Sequence, residues 1–338
     1  MDSVHLFLAD IWFFLLGLIL VLYVVLDGFD LGVGIVSLFA CDERRRGIMM
    51  ASLSGVWDAN ETWLVLLGGA LFGSYPLVYG VVLHALYVPI MLMLFALIFR
   101  GVAFEFREHA RRKLPWNLAF GLGSLLAALA QGFALAGILQ GIPVSQGRFA
   151  GGPWDWLTPF SVLVSVGVAS GYSLLGATYL IMRTEGEIQA RSYRRAAVSA
   201  VVTLVVAVIV TLWTPLVHPF VAYKWFSAPY MFYIAPLPVF ASFAFLMLFR
   251  ALHRHRERAP FLWSLAIFVT SFVGLAISLH PFLVPPNLTL ADAASSKTLV
   301  FMLTGVGMLL PIMIIYNSYQ YLVFRGKVRH THYAREEN

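Results

Sequence analysis

The chain has 338 residues, 60% hydrophobic and only 12% charged, with a formal net charge of +6 and a mean hydropathy of +0.82. A water-soluble domain carries about 25% charged residues, so this composition excludes a soluble globule and points to membrane spans along the whole length. A single cysteine, Cys41, excludes an internal disulfide and a cysteine-ligated metal cluster within the chain.

Nine apolar segments follow one another, near 8–39, 50–73, 77–104, 117–140, 159–182, 197–218, 229–251, 261–283 and 298–324. Each exceeds the ~20 residues that cross a bilayer core as a helix. Helix is the required state, because lipid cannot satisfy free backbone groups. The sequence therefore predicts an all-α polytopic membrane protein of about nine transmembrane helices, in one membrane domain over 1–325. The N-terminus has no basic run and no small-residue cleavage site, so the first segment reads as a retained helix.

The first segment carries Asp27 and Asp30 among glycines and is followed by Arg44, Arg45 and Arg46. The second opens with Asp58, Asn60 and Glu61 and holds Trp63. The third ends in Arg100, Glu105 and Arg107, before Arg111, Arg112 and Lys113. The stretch 141–158, with Gly147, Gly151, Gly152 and Pro153, reads as a surface loop. In the fifth segment Gly171-Tyr172-Ser173-Leu174 resembles Gly28-Phe29-Asp30-Leu31, the sign of a parallel duplication in which Ser170 and Ser173 replace the acids. Further basic clusters are Arg183 with Arg191, Arg194 and Arg195; Arg250 with Arg254, Arg256 and Arg258; and Arg325 with Lys327, Arg329 and Arg335.

All but three of the 23 Lys and Arg fall after odd-numbered segments; the exceptions are Arg148, Lys224 and Lys297. Cytoplasmic loops collect positive charge, so the N-terminus is expected outside and the C-terminus in the cytoplasm, which requires an odd number of spans. The bases lie in short clusters between spans, a topology signal and not a nucleic-acid surface.

An acid at the centre of a membrane helix costs about 2.5–3.5 kcal/mol on insertion scales. Asp27, Asp30, Asp58 and Glu61 are therefore expected to face the bundle interior or a partner. Counting from a turn near Arg44 puts Asp27 and Asp58 at similar depth, about 20–25 Å of helix path inward. Glu105 falls at the cytoplasmic edge, so Glu105 and Asp58 read as successive stations for protons, against a bland reading as interfacial or hydrogen-bonding acids. His84, His218 and His280 fall toward outer helix ends and are weak candidates for haem ligation. Gly28-x-x-x-Gly32, Gly69-x-x-x-Gly73, Gly137-x-x-x-Gly141 and Gly167-x-x-x-Gly171 are candidates for close helix approach. Trp12, Trp116, Trp154, Trp156, Trp213 and Trp225 read as interfacial anchors. Trp63 is too deep for that belt and reads as packing against a partner or lining a gas path.

Four stretches carry a family resemblance: Val25–Gly34; Trp57–Leu64 with Gly68–Phe72; Phe99–Arg107; and Thr298 through Pro311 to Tyr316 and Tyr321. Together they resemble subunit II of the cytochrome bd-type quinol oxidases. The resemblance implies two four-helix bundles, 1–140 and 159–283, a ninth helix at 298–324 and a basic cytoplasmic tail at 326–338. It implies a multi-pass protein of the bacterial inner membrane, in a complex that oxidises quinol and reduces dioxygen to water without pumping. The haem-bearing subunit I is the expected partner and holds the b and d haems, and this chain is not expected to ligate haem. A small single-span subunit and a bound quinone or lipid are left open. In the family, acids matching Asp58 and the position of Glu105 are implicated in proton delivery, and the position of Trp63 in oxygen access. The third motif often has Asp where this chain has Glu105, which keeps the titratable group and changes its reach. A secondary transporter with a midplane acidic site, a self-sufficient b-type cytochrome and an assembly scaffold are the competing readings.

Overall fold

The computed structural model describes residues 3–293 and 296–328, with the side chains of Ser3, Ser296 and Lys297 left aside. The tail beyond 328, with Arg329 and Arg335, lies outside the described residues. In chain order the helices are α1 (Ser3–Ser37), α2 (Glu43–Ala51), α3 (Trp57–Ser74), α4 (Pro76–Ala85), α5 (Tyr87–Phe106), α6 (Leu114–Gln140), α7 (Pro159–Arg183), α8 (Gly186–Val217), α9 (Pro219–Phe226), α10 (Tyr230–Ile234), α11 (Pro236–His253), α12 (Ala259–Leu279), α13 (Leu290–Ala293) and α14 (Ser296–Val323). Two small antiparallel hairpins sit in connections: β1 (Val144–Ser145) with β2 (Arg148–Phe149), and β3 (Phe282–Val284) with β4 (Leu288–Thr289). The loop expected at 141–158 thus holds a short hairpin, and the eighth helix stops at Leu279, short of the expected 283.

Among the described residues, eight helices are long and apolar enough to cross a membrane. The protein is an all-α, multi-pass protein of the bacterial inner membrane. The expected second span, 50–73, is the exception. It divides into α2, a turn through Ser52–Val56 and the 18-residue α3. Asp58, Asn60 and Glu61 in the first turns of α3 lower its average apolarity. Its neighbours nevertheless show it running antiparallel to α1 and α14 over most of their length. Near its start, Asn60 bonds Leu26 and Asp30 of α1 and Tyr321 of α14. At its far end, Tyr75 donates to the Ala9 carbonyl and Gly73 abuts Met302.

Other boundaries move for local reasons. The third expected span breaks at Leu86, between α4 and α5. The seventh breaks at Ala235, next to Pro236. Only Thr184 and Glu185 separate α7 from α8, so Arg191, Arg194 and Arg195 lie on the first turns of α8 and not in a loop. At 32 residues α8 is about 48 Å long, well beyond the ~30 Å hydrocarbon core, and its basic first turns lie at the connection end.

Helix α1 packs against α3, α6 and α7, and α7 packs in turn against α6, α8 and α12. The seam between α1 and α7 is closed by glycines. A Cβ on Gly32 would lie 1.8 Å from the Tyr172 carbonyl oxygen, and one on Gly176 would lie 2.2 Å from the Gly32 carbonyl carbon. Gly28 meets the Tyr172 ring in the same way. The two stretches paired by the sequence as duplicates are therefore in direct contact. The other glycine pairs differ: Gly69 faces open space, Gly137 meets Leu86, and Gly167 and Gly171 meet Val206 and Phe268 side chains. Backbone-to-backbone approach is closest at the Gly32·Gly176 crossing and recurs where Gly132 of α6 meets Ser165 of α7, and at such points small residues replace the missing hydrophobic drive between membrane helices.

Two large apolar clusters fill the interior. One, at the end of the basic connections, joins Phe29, Met49, Leu53, Phe120, Tyr179 and Leu248. The other, at the opposite end, joins Trp12, Trp63, Tyr75, Leu86, Val284 and Leu299. Trp12 is fully buried and donates to the Leu299 carbonyl, so it is a core residue and not an interfacial anchor.

Gly32→Ala is expected to lower the unfolding midpoint of the solubilised protein, in line with the roughly 1–3 kcal/mol typical of overpacked sites. Gly68→Ala, with nothing near its would-be Cβ, should leave it unchanged. Thermal unfolding of the two variants side by side checks this.

Candidate functional site

The polar residues of the membrane interior gather where α1, α3, α5 and α14 meet. Asp27 and Asp30 are fully buried, and Arg100 of α5 is 1% exposed. The Arg100 guanidinium donates to Asp27 Oδ1 at 3.2 Å and stands 3.9 Å from Asp30 Oδ2. Asn60 donates to the same Asp30 oxygen at 2.9 Å and to the Leu26 carbonyl, and it accepts from the Tyr321 hydroxyl at 2.8 Å. This line of side chains ties the last long helix to the first.

Arg100 is the residue that sequence reasoning misplaced. Counted as a topology-setting base or a partner for Glu105, it is instead the buried counter-ion of the α1 acids. Its signal was position: α5 continues to Phe106, which places Arg100 six residues, about 9 Å, inside the helix end. Glu105 pairs with neither arginine. Arg107 is held by Glu43 of α2 and by Asn117 of α6, at 2.7 Å from the latter, and Asn117 also donates to Glu43 at 2.5 Å. Neither Glu43 nor Asn117 stood out in the sequence.

The remaining acids lie elsewhere. Asp58 and Glu105 are exposed on the chain's own surface and line one open cleft of about 470 Å³ with Ser54, Trp57, Gln320 and Phe324. They are level with one another, at the end of the bundle where α3 begins and α5 and α14 finish. Asp58 stands two residues before Asn60, whose side chain reaches Leu26 and Asp30, but Asp58 itself is exposed and does not join the α1 acids. Glu61, one turn along α3 from Asp58, is half-buried and within electrostatic reach of Asp58 on one side and of Asp27 and Arg100 on the other. The five acids thus form two groups, a sealed one around Arg100 and a surface one at the cleft, with Glu61 between them.

Trp63 is 1% exposed and sits in this chain's own apolar core, its indole N–H without a partner among the described residues, so it does not reach an outer face. His84 is exposed against the Phe149 ring at 5.3 Å. His218 is the half-buried residue that ends α8, and His280 faces Asp10 at 3.3 Å and packs edge-on to Phe13. Among the described residues no group of three or more His, Cys, Asp or Glu is placed to hold a metal ion. The helices that carry the buried charges, α1 and α5, run unbroken through them, whereas a transporter site is usually built at unwound helices.

Four side-chain N/O atoms of the sealed group, Asp27 Oδ2, Asp30 Oδ1 and Arg100 Nε and Nη2, lack hydrogen-bond partners among the described residues. Removing one member of such a group leaves the opposite charge uncompensated, at a typical cost of about 3–5 kcal/mol. Arg100→Met is therefore expected to reduce accumulation and thermal stability of the protein sharply. Adding Asp27→Asn should restore part of the loss, as read from the unfolding midpoints of the single and double variants.

The sequence profile of the family described as cytochrome bd terminal oxidase subunit II matches residues 8–324. The chain is 31% identical over 365 aligned residues to cytochrome bd-I ubiquinol oxidase subunit 2 of Escherichia coli K12, covering 95% of both chains. It is 28% identical to cytochrome bd ubiquinol oxidase subunit 2 of Bacillus subtilis, covering 98% of both. Its fold is similar to a chain of the bd oxidase from Geobacillus thermodenitrificans, with a TM-score of 0.73 at 21% identity over 94% of this chain and 99% of that one. With nearly its whole length matched, this chain belongs to the cytochrome bd terminal oxidase subunit II family.

Proposed function

We propose that this chain is the second subunit of a terminal quinol:oxygen oxidoreductase and that its part in turnover is to admit protons to the partner's oxygen-reducing centre. The observation that carries this reading is the cleft shared by Asp58 and Glu105. Two carboxyls from different helices meet on the outer surface of the chain, beside the end of the bundle where the basic connections cluster. An acid in the span that faced lipid would be unfavourable, so the cleft calls for cover by protein. The haem-bearing subunit I is the cover proposed, with the b and d haems and the quinol site on that side.

In this reading the N-terminus is outside and the basic end is cytoplasmic. Protons consumed in making water enter past Glu105 and Asp58, while quinol protons leave on the opposite side, so turnover is electrogenic without pumping. Carboxyls suit the path because one proton can bind and leave the same oxygen pair. Glu61 links the cleft to the sealed Asp27–Arg100–Asp30 group, which acts as a charged wall that keeps the route directed toward the partner. Trp63 stands in the apolar cluster at the opposite end of the bundle, a medium in which a nonpolar gas dissolves, and is assigned to oxygen access. The α1–α6 and α7–α12 halves are read as the two four-helix bundles, with α14 as the additional helix lying against α1 and α3.

Asp58→Asn and Glu105→Gln are each expected to lower the oxygen-reduction rate of the assembled complex about tenfold or more, within the range of removing a proton-transfer group. Glu105→Asp should retain most of the activity. Haem content and subunit stoichiometry should match wild type in all three. Oxygen uptake with a reduced quinol, normalised to haem, is the measurement; full turnover in an assembled Asp58→Asn complex would remove Asp58 from the route.

A further inference from the structure

A second cavity, of about 450 Å³, opens between the two halves of the molecule at the end where the basic connections cluster. Its inner wall is apolar and aromatic. Phe29 of α1 stacks on Tyr179 of α7 with ring centroids 4.4 Å apart, and Phe261 of α12 meets both rings edge-on or tilted at 5.8–5.9 Å. Leu265, one turn along α12 from Phe261, extends this wall. The rim differs in kind. Arg183, Arg258, Arg325 and Lys327 line it, against the single acid Glu257.

The rim charges are not equally occupied. Lys327 is engaged by Glu257 at 2.7 Å and by Glu185 at 3.6 Å. The backbone N–H of Val328 donates to the Arg183 carbonyl, which pins the chain after α14 over the turn between α7 and α8. Among the described residues, no carboxylate pairs with Arg183, Arg258 or Arg325. The Arg183 Nε–H is buried without a hydrogen-bond partner among the described residues, and its guanidinium lies 5.8 Å from the Tyr179 ring centre. Three guanidinium groups thus converge at the mouth of an apolar slot, at the depth where helices end and lipid headgroups begin.

We propose that this cavity is a binding site for one anionic phospholipid. Its phosphate is held at the rim by Arg183, Arg258 and Arg325, and its acyl chains run along Phe29, Phe261 and Leu265. Arginine recognises phosphate through paired, parallel N–H donors, and basic pockets between membrane helices on one side of the bilayer select anionic headgroups. The apolar wall of Phe29, Phe261 and Leu265 beneath the arginines offers a bed for acyl chains that free phosphate would leave empty, which favours a lipid phosphate over free phosphate. The proposal needs the membrane setting and the cavity, and it does not depend on proton delivery through Asp58.

The test uses the complete complex in lipid nanodiscs, with spin-labelled phosphatidylglycerol and phosphatidylcholine as probes. One juxtamembrane base contributes about a fivefold preference, so wild type should hold phosphatidylglycerol at least that much more strongly than phosphatidylcholine. High salt should weaken the preference without abolishing it. The exposed pair Arg258→Gln/Arg325→Gln, which touches no buried group, should remove most of the preference while oxygen uptake persists. Arg183→Lys keeps the charge and loses the fork, and should weaken binding part of the way. Equal binding of the two lipids by wild type, or an unchanged preference in the double variant, would overturn the proposal. So would displacement of the labelled lipid by millimolar inorganic phosphate, or recovery of a stoichiometric quinone from the cavity in its place.

Discussion

The structure depends on how two carboxylates are kept inside an apolar bundle. Asp27 and Asp30 lie on a helix that touches both halves of the molecule, just before the glycine crossing at Gly32 and Gly176. Lipid cannot solvate them, so the bundle must bring a cation and donors to that spot. Arg100, Asn60 and Tyr321 do so from three other helices. Close packing and charge compensation are thereby coupled: the glycines set the distance between α1 and α7, and the polar cluster sets which helices surround the other face of α1.

That coupling separates the acids by task. The sealed pair makes a fixed polar centre, while Asp58 and Glu105 remain on the chain's own surface. A chain in which every acid was sealed would have no means of exchanging protons with a neighbour, and one in which none was sealed would lack a specified helix arrangement. Family membership and the cleft are consistent with the proposed division, in which the exposed acids serve a partner and the sealed charges hold the bundle together.

Much of this was legible in the residues. Apolar runs named the spans, and charges inside them, such as Asp27 and Asp30, stood out against a uniform background. What could not be read was register between helices distant in sequence. Arg100 resembles any arginine at the end of a span, and only the alignment of α5 against α1 makes it a buried counter-ion. The helix α2 was not foreseen because it has no apolar signature to announce it, being polar from Glu43 through Arg46. Trp12 was assigned to the headgroup belt by a rule about tryptophans near helix ends, yet its N–H finds a carbonyl of α14 that comes within reach only after the chain has returned to it.

The polar start of α3 has a consequence for biogenesis. As it leaves the ribosome, α3 carries Asp58, Asn60 and Glu61 into a bilayer that offers nothing in exchange for their hydration. The donors that satisfy its surroundings arrive later: Arg100 with α5, and Tyr321 only once α14 has been made. In the finished fold the Tyr321–Asn60 bond fastens the start of α3 to α14, so a segment made early is held by the last long helix to be made.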